Sequence, residues 1–147
     1  MKLRRILHPS DFSPASRAAF AKAAAMAKAD RAELLLVHVL GFPTPVLGDG
    51  YVSPKIYDDL IRSMRAAGKK QLDRLVAKAK ASGARASGLL LEGMPADAIV
   101  RVARSKRADL IVLGTHGRTG LARLFMGSVA ERVVGAAPCP VMTVRGR

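Results

Sequence analysis

The segment Gly114-Thr115-His116-Gly117-Arg118-Thr119-Gly120-Leu121-Ala122-Arg123-Leu124-Phe125-Met126-Gly127-Ser128 has the residue types and the spacing to hold an anion. Glycines at 114, 117 and 120 lead to a closing Gly127-Ser128 pair. Lacking a Cβ, glycine lets backbone N–H groups turn toward a ligand at close range. A helix opening at Ser128 adds unpaired N–H donors and the positive end of a dipole. Arg118 and Arg123 in the same stretch add charge. Phosphate is the natural occupant. The pattern is neither Gly-x-x-x-x-Gly-Lys followed by Ser or Thr nor Gly-x-Gly-x-x-Gly, so it points to an anion without naming it. A ligand-free alternative stands beside this one. Ser128-Val129-Ala130-Glu131 fits a capping box, which satisfies a helix start by itself, and Gly114 would then be a plain strand end.

Five short apolar runs, alternating with helical patterns, must position that loop: 3–8, 33–40, 86–92, 109–113 and 140–144. Ser13 followed by Pro14 marks a helix start, and the alanine-rich helix after it runs to about residue 29. Ser53-Pro54 repeats the signal after a Gly/Pro-rich loop over 41–53. The helix that follows carries Leu60, Met64, Leu72, Leu75 and Ala79 on its expected buried face and stops near Gly83. Gly93-Met94-Pro95 opens a third helix, with Ile99, Val102 and Ala103 inward. Ser128 opens a last one, to about Gly135. Strict β-α alternation predicts a single Rossmann-like α/β domain over 1–147: an open parallel five-stranded sheet with helices on both faces. Ligands of such sheets sit at the carboxyl ends of strands, where strand order reverses. The residues after strands one, two and four are therefore the ones to watch.

A chain of 147 residues, half of them hydrophobic, buries a core without staples. One cysteine, Cys139, forms no internal disulfide and suits a reducing compartment; a structural role is favoured for it over a redox one. His8, His38 and His116 are scattered, without metal-ligand spacing. His8 and His38 fall in strands and read as core or edge histidines. No apolar run reaches the roughly 18 residues of a membrane span, and no secretory signal opens the chain, so a cytoplasmic protein without membrane insertion is expected. Net charge is +14, with eight Lys or Arg against one acid, Asp73, over 62–85. A solvated helix face is the favoured account of that zone, and an acidic partner such as nucleic acid the other.

The spacing Gly114-x2-Gly117-x9-Gly127-Ser128 resembles the ATP-binding signature of the universal stress protein family. Three more segments are similar to that family: Ile6-Leu7-His8-Pro9-Ser10-Asp11-Phe12-Ser13, Leu36-Val37-His38-Val39 and Ala137-Pro138-Cys139-Pro140-Val141-Met142-Thr143-Val144. The resemblance covers the whole chain. It implies ATP as ligand, with magnesium bridging the phosphates. It implies that Asp11 contacts the ribose in a turn shaped by Pro9 and Ser10, and that Val39 meets adenine through its backbone. It further implies that Gly114, Thr115, His116, Gly117, Arg118 and Thr119 wrap phosphates and ribose, and that Gly127, Ser128 and Val129 hold phosphates. A homodimer joined through the edge strand at 140–144 is implied as well.

No residue is assigned a catalytic role. His116 has no nucleophile or carboxylate placed to form a triad with it and reads as a loop residue. Asp11 has a local alternative, bracing the turn ahead of the helix. Three functions are open: an ATP-binding regulatory protein, an enzyme that slowly hydrolyses or transfers nucleotide, and a basic protein that binds nucleic acid or an anionic surface. The third is weakened by aromatics at 4% and by the lack of a helix-turn-helix or RNA-stacking motif.

Overall fold

The computed structural model describes residues 2–41, 53–115 and 127–146. Its elements run β1 (Arg5–Pro9), α1 (Pro14–Asp30), β2 (Glu33–Leu40), α2 (Pro54–Ala81), β3 (Arg85–Glu92), α3 (Pro95–Ser105), β4 (Leu110–Gly114), α4 (Ser128–Ala136) and β5 (Val141–Val144). The strands order as β3-β2-β1-β4-β5, all neighbours parallel. The chain leaves β1 toward one edge and returns beside it as β4, so strand order reverses between β1 and β4. The α/β class and the five-stranded open sheet are those the alternation predicts.

The apolar runs lack a polar face because both faces of the sheet are covered. Leu34 and Leu36 of β2 pack with Ala19, Phe20 and Ala23 of α1 and Leu72 of α2. Their neighbours Leu35 and Val37 pack on the other face, with Ile99, Val102 and Ala103 of α3 and Ala130 and Val133 of α4. Ile6 and Leu7 of β1 divide in the same way.

The helix starts at Ser13-Pro14 and Ser53-Pro54 form as expected. Ser13 Oγ accepts from Ser16 N at 3.2 Å and Ser53 Oγ from Ile56 N at 3.3 Å. The inner stripe of α2 differs from the expected one. Leu72 and Ala79 are buried, but Leu60 is 46% exposed, and Ile61 and Gly68 take the inward places. A stripe through 61, 68, 72 and 79 turns residue 60 about 100° aside. Glycine at 68 has a packing reason: a Cβ there would lie 3.2 Å from Leu40 and 3.3 Å from His38. It lets α2 settle closely on β2. β4 begins one residue later than expected. The carboxylate of Asp109 instead accepts N–H bonds from Arg4 and Arg5, each at 2.8 Å, which tie the start of β1 to β4 and hold Asp109 below the usual carboxylate range.

Candidate functional site

A cleft of about 350 Å³ opens at the carboxyl ends of β1, β2 and β4. Pro9, Ser10, Asp11, Val39, Gly114, Thr115, Gly127, Ser128 and Val129 all line it. Residues from three distant parts of the sequence thus meet where strand order reverses. His116, Gly117, Arg118 and Thr119, like Gly120 and Arg123, lie outside the described residues. Ser13, Ser16, Val37, His38, Pro95, Ile99, Leu113 and Ala130 complete the lining and were not named from the sequence as site residues. For two of them a signal existed. Serines at 10, 13 and 16 repeat every third residue across a helix start, which gathers their hydroxyls on one side.

The β1–α1 turn is closed by its own side chains. Ser10 N donates to Val37 O at 2.8 Å, so the turn continues the pairing of β1 with β2. Ser10 Oγ accepts from Phe12 N at 3.1 Å and lies 2.9 Å from Ser16 Oγ. Asp11 Oδ1 accepts from Ser13 N at 2.9 Å. The bracing role open to Asp11 is therefore real, and it coexists with a place on the cleft wall. Phe12 has φ 62°, a left-handed conformation unusual for a bulky side chain. Its ring lies against His38 with centroids 4.5 Å apart, and His38 Nδ1 donates to Ser10 O at 2.7 Å.

His8, just before this turn, is fully buried beside Phe20. Its Nδ1 donates to Val112 O at 2.8 Å, while Nε2 has no partner among the described residues. Burial pulls its pKa down to about 4, against the opposing pull of the Val112 carbonyl and the Asp11 charge. The ring is thus neutral at pH 7 and half satisfied.

The β4–α4 side is built differently. Thr115 N donates to Val144 O at 3.2 Å, and Gly127 N donates to Thr115 O. Gly127 is the N-cap of α4, with φ −58° and ψ 153° and no side-chain cap hydrogen bond. Ser128 is already the first helical residue, so the capping box weighed for Ser128 and Glu131 as the ligand-free alternative does not form. Its serine stands one position too late, and Glu131 N donates to the Gly127 carbonyl, as in any first turn. Among the described residues no side chain caps the first turn of α4, and Gly127, Ser128 and Val129 of that turn line the cleft. Thr115 Oγ1 is buried there with no partner among the described residues.

Gly114 has a reason of its own. A Cβ on it would stand 2.8 Å from Ala15 O, and one on Gly146 would stand 2.8 Å from Ala15 Cα. Gly114 therefore serves the approach of α1 to β4. Cys139 is half-buried, and burial together with the Asp109 charge pushes its thiol pKa up, as suits a structural residue. No group of three His, Cys, Asp or Glu residues with metal-site geometry occurs among the described residues.

The model of the universal stress protein family matches residues 2–145. A universal stress protein of Thermus aquaticus, encoded 3′ of a QAH/OAS sulfhydrylase gene, is 37% identical over 142 residues, covering 97% of this chain and 98% of the relative. The structure of UspA from Lactobacillus plantarum superposes with TM-score 0.84 at 27% identity, covering 99% of each chain. A universal stress protein from Archaeoglobus fulgidus, solved in complex with dAMP, gives TM-score 0.67 at 26% identity over 98% of this chain and 99% of its own. The chain belongs to the universal stress protein family.

Proposed function

We propose that this protein is an ATP-binding regulator in a stress response, acting by holding nucleotide rather than by turning it over. The observation that carries this is the meeting of Asp11, Val39, Thr115, Gly127 and Ser128 on one cleft beside a helix start without a side-chain cap. The cleft volume falls within the range of small-molecule sites. Its walls divide by chemistry. Val37, Val39, Ile99 and Leu113 offer an apolar surface for a base, and Asp11 an acceptor for ribose hydroxyls. The N–H groups at Gly127, Ser128 and Val129 suit phosphates. The buried Thr115 hydroxyl has no partner among the described residues, and a phosphate oxygen would supply one. The dAMP complex of the Archaeoglobus fulgidus relative supports an adenine nucleotide. On this reading His116, Gly117, Arg118 and Thr119 close over the phosphates, while Pro9 and Ser10 set the Asp11 turn.

Magnesium fits as a companion of the nucleotide. Mg²⁺ usually keeps several waters and binds through substrate phosphates, so it would bridge the phosphates while Asp11 is kept for the ribose. The ion would neutralise phosphate charge. No described helix is long and apolar enough to cross a membrane, and a cytoplasmic setting is part of the proposal. β5 lies at a sheet edge. An open edge is a template for pairing, so a two-fold antiparallel homodimer through 140–144 is proposed, with solution mass at moderate salt as its check.

Two measurements test the nucleotide reading. Nucleotide-free wild type should gain thermal stability at millimolar ATP with magnesium, because a ligand of the folded state stabilises it by mass action. The absence of any shift would sink the proposal. Asp11→Ala should weaken ATP binding by roughly tenfold to a hundredfold, as loss of a charge-assisted hydrogen bond costs about 1.5–3 kcal/mol. Unchanged affinity by titration calorimetry leaves Asp11 as a turn brace alone. The +14 charge sustains the other reading: nucleic acid that co-purifies and leaves with salt would favour it.

A further inference from the structure

We propose that His38 is a positioning residue of the cleft: it locks the β1–α1 turn so that Asp11 is presented to the nucleotide. This rests on the reading that Asp11 contacts bound nucleotide. The starting observation is the strain at Phe12. A bulky residue at φ 62° costs energy and persists only where its surroundings impose it. Here the strained residue directly follows Asp11, the one carboxylate on the cleft wall among the described residues.

Two groups impose the conformation, and His38 is central to both. Its Nδ1 grips the Ser10 carbonyl at 2.7 Å, one residue before Asp11. Its ring lies against Phe12, one residue after Asp11, at 4.5 Å and a 40° tilt. One side chain thus holds the carbonyl that precedes Asp11 and packs on the ring of the residue that follows it. Ser10 Oγ adds a bond to Phe12 N at 3.1 Å. His38 is in turn fixed from outside the turn. It stands opposite Leu90 in the β2–β3 register, and Gly68 of α2 comes so near that a Cβ would lie 3.3 Å from its ring. α2, β2 and β3 therefore determine where Asp11 stands, although none of them carries it.

A histidine that merely packs would lower affinity only as far as it loosens the fold. A positioning residue makes three different demands. His38→Ala should weaken ATP·Mg²⁺ binding at least tenfold, while the ligand-free melting midpoint falls by only a few degrees. His38→Asn, whose side-chain amide places a donor close to the Nδ1 position, should recover much of the affinity. His38→Phe, which keeps the ring and loses the donor, should recover stability but not affinity, and it serves as the folded control if His38→Ala is too unstable. The decisive measurement combines His38→Phe with Asp11→Ala. If His38 acts through Asp11, it has nothing left to position once the carboxylate is gone, and the double variant should bind no more weakly than Asp11→Ala. Full additivity overturns the proposal, as does affinity that follows melting midpoint across all three variants. Asp11→Ala that binds like wild type removes the ribose assignment and this proposal with it. Wild type that does not bind ATP at all is instead a failure of the nucleotide reading itself.

Discussion

α1 starts at the cleft with a side-chain cap, Ser13, and a turn tied by its own side chains, whereas α4 starts there with no side-chain cap among the described residues. At α1, Ser13 Oγ takes Ser16 N, Asp11 Oδ1 takes Ser13 N and Ser10 Oγ takes Phe12 N. At α4, the cap is Gly127, which has no side chain to give. A helix start whose donors are already bonded to protein has little left for an anion. A start whose donors lack side-chain acceptors retains both the N–H groups and the dipole. The two ends of one cleft are thus chemically sorted. On the proposed function this sorting would put phosphates at α4 and leave the β1–α1 turn to present a carboxylate to ribose hydroxyls.

The largest effect should come from erasing that asymmetry. Gly127 has φ −58° and ψ 153°, angles open to any residue. Asp is a better N-cap than Gly by a few tenths of a kcal/mol. Gly127→Asp should therefore leave the melting midpoint unchanged or slightly raised. It should also remove ATP binding at millimolar nucleotide, because its carboxylate would occupy and repel where phosphate is to sit. Retained ATP binding in a stable Gly127→Asp protein would move the phosphates away from α4.

Next in size is an acid sensitivity on the β1 side. His8 has its pKa drawn down to about 4 by burial, from an ordinary value near 6.5. The unfolded chain therefore takes up the proton first as pH falls. The stability from keeping His8 neutral is fully present above about pH 6.5. It declines below that and is gone near pH 4, a loss of about 3 kcal/mol. Urea unfolding at pH 7 and pH 4.5 should show most of it, and His8→Phe should flatten the difference. Asp109 and Glu33 are shifted downward, so their losses fall at lower pH and leave this window to His8.

Ser13→Ala should cost about 1 kcal/mol of stability, the usual worth of a side-chain cap, and leave ATP affinity nearly unchanged. Loss of affinity on that scale would show that the α1 start meets the ligand directly, and the contrast between the two helices would fail.

The sheet, the Ser13-Pro14 and Ser53-Pro54 starts and most of the cleft wall were legible in the sequence. The sheet and the helix starts are written in local chemistry, apolar runs and a cap followed by proline, whereas Pro9, Ser10, Asp11 and Val39 on the cleft wall were implied by the resemblance to the universal stress protein family. The features that the sequence did not show depend on what lies across the fold. Leu60 fits a helical stripe, but α2 is turned by the close seat of Gly68 on His38 and Leu40. Gly114 lines the cleft and also has a packing role that only the fold shows: its missing Cβ makes room for Ala15. His38 appeared as one more strand histidine, because its bond to Ser10 joins residues 28 apart. The serines at 13 and 16 are visible in the sequence, but only the meeting of β1, β2 and β4 makes them part of a wall.

Ser128→Ala gives the smallest effect and separates the two accounts of the α4 start. As an N-cap in a capping box, Ser128 would contribute about 0.5–2 kcal/mol to stability. In the structure it is the first helical residue, exposed and without a cap bond. Alanine is the better helix former at such a place, so stability should move by less than about 0.5 kcal/mol. The hydroxyl can still donate to a phosphate oxygen, and its loss should weaken ATP binding severalfold while Gly127, Ser128 and Val129 keep their backbone donors. Melting curves with and without ATP on the same variant read both quantities. An unchanged ligand-free midpoint with a reduced ATP-induced shift fits an anion site. A lowered midpoint with an undiminished shift would restore the cap at Ser128 and remove the difference between α1 and α4 on which the placement of the phosphates rests.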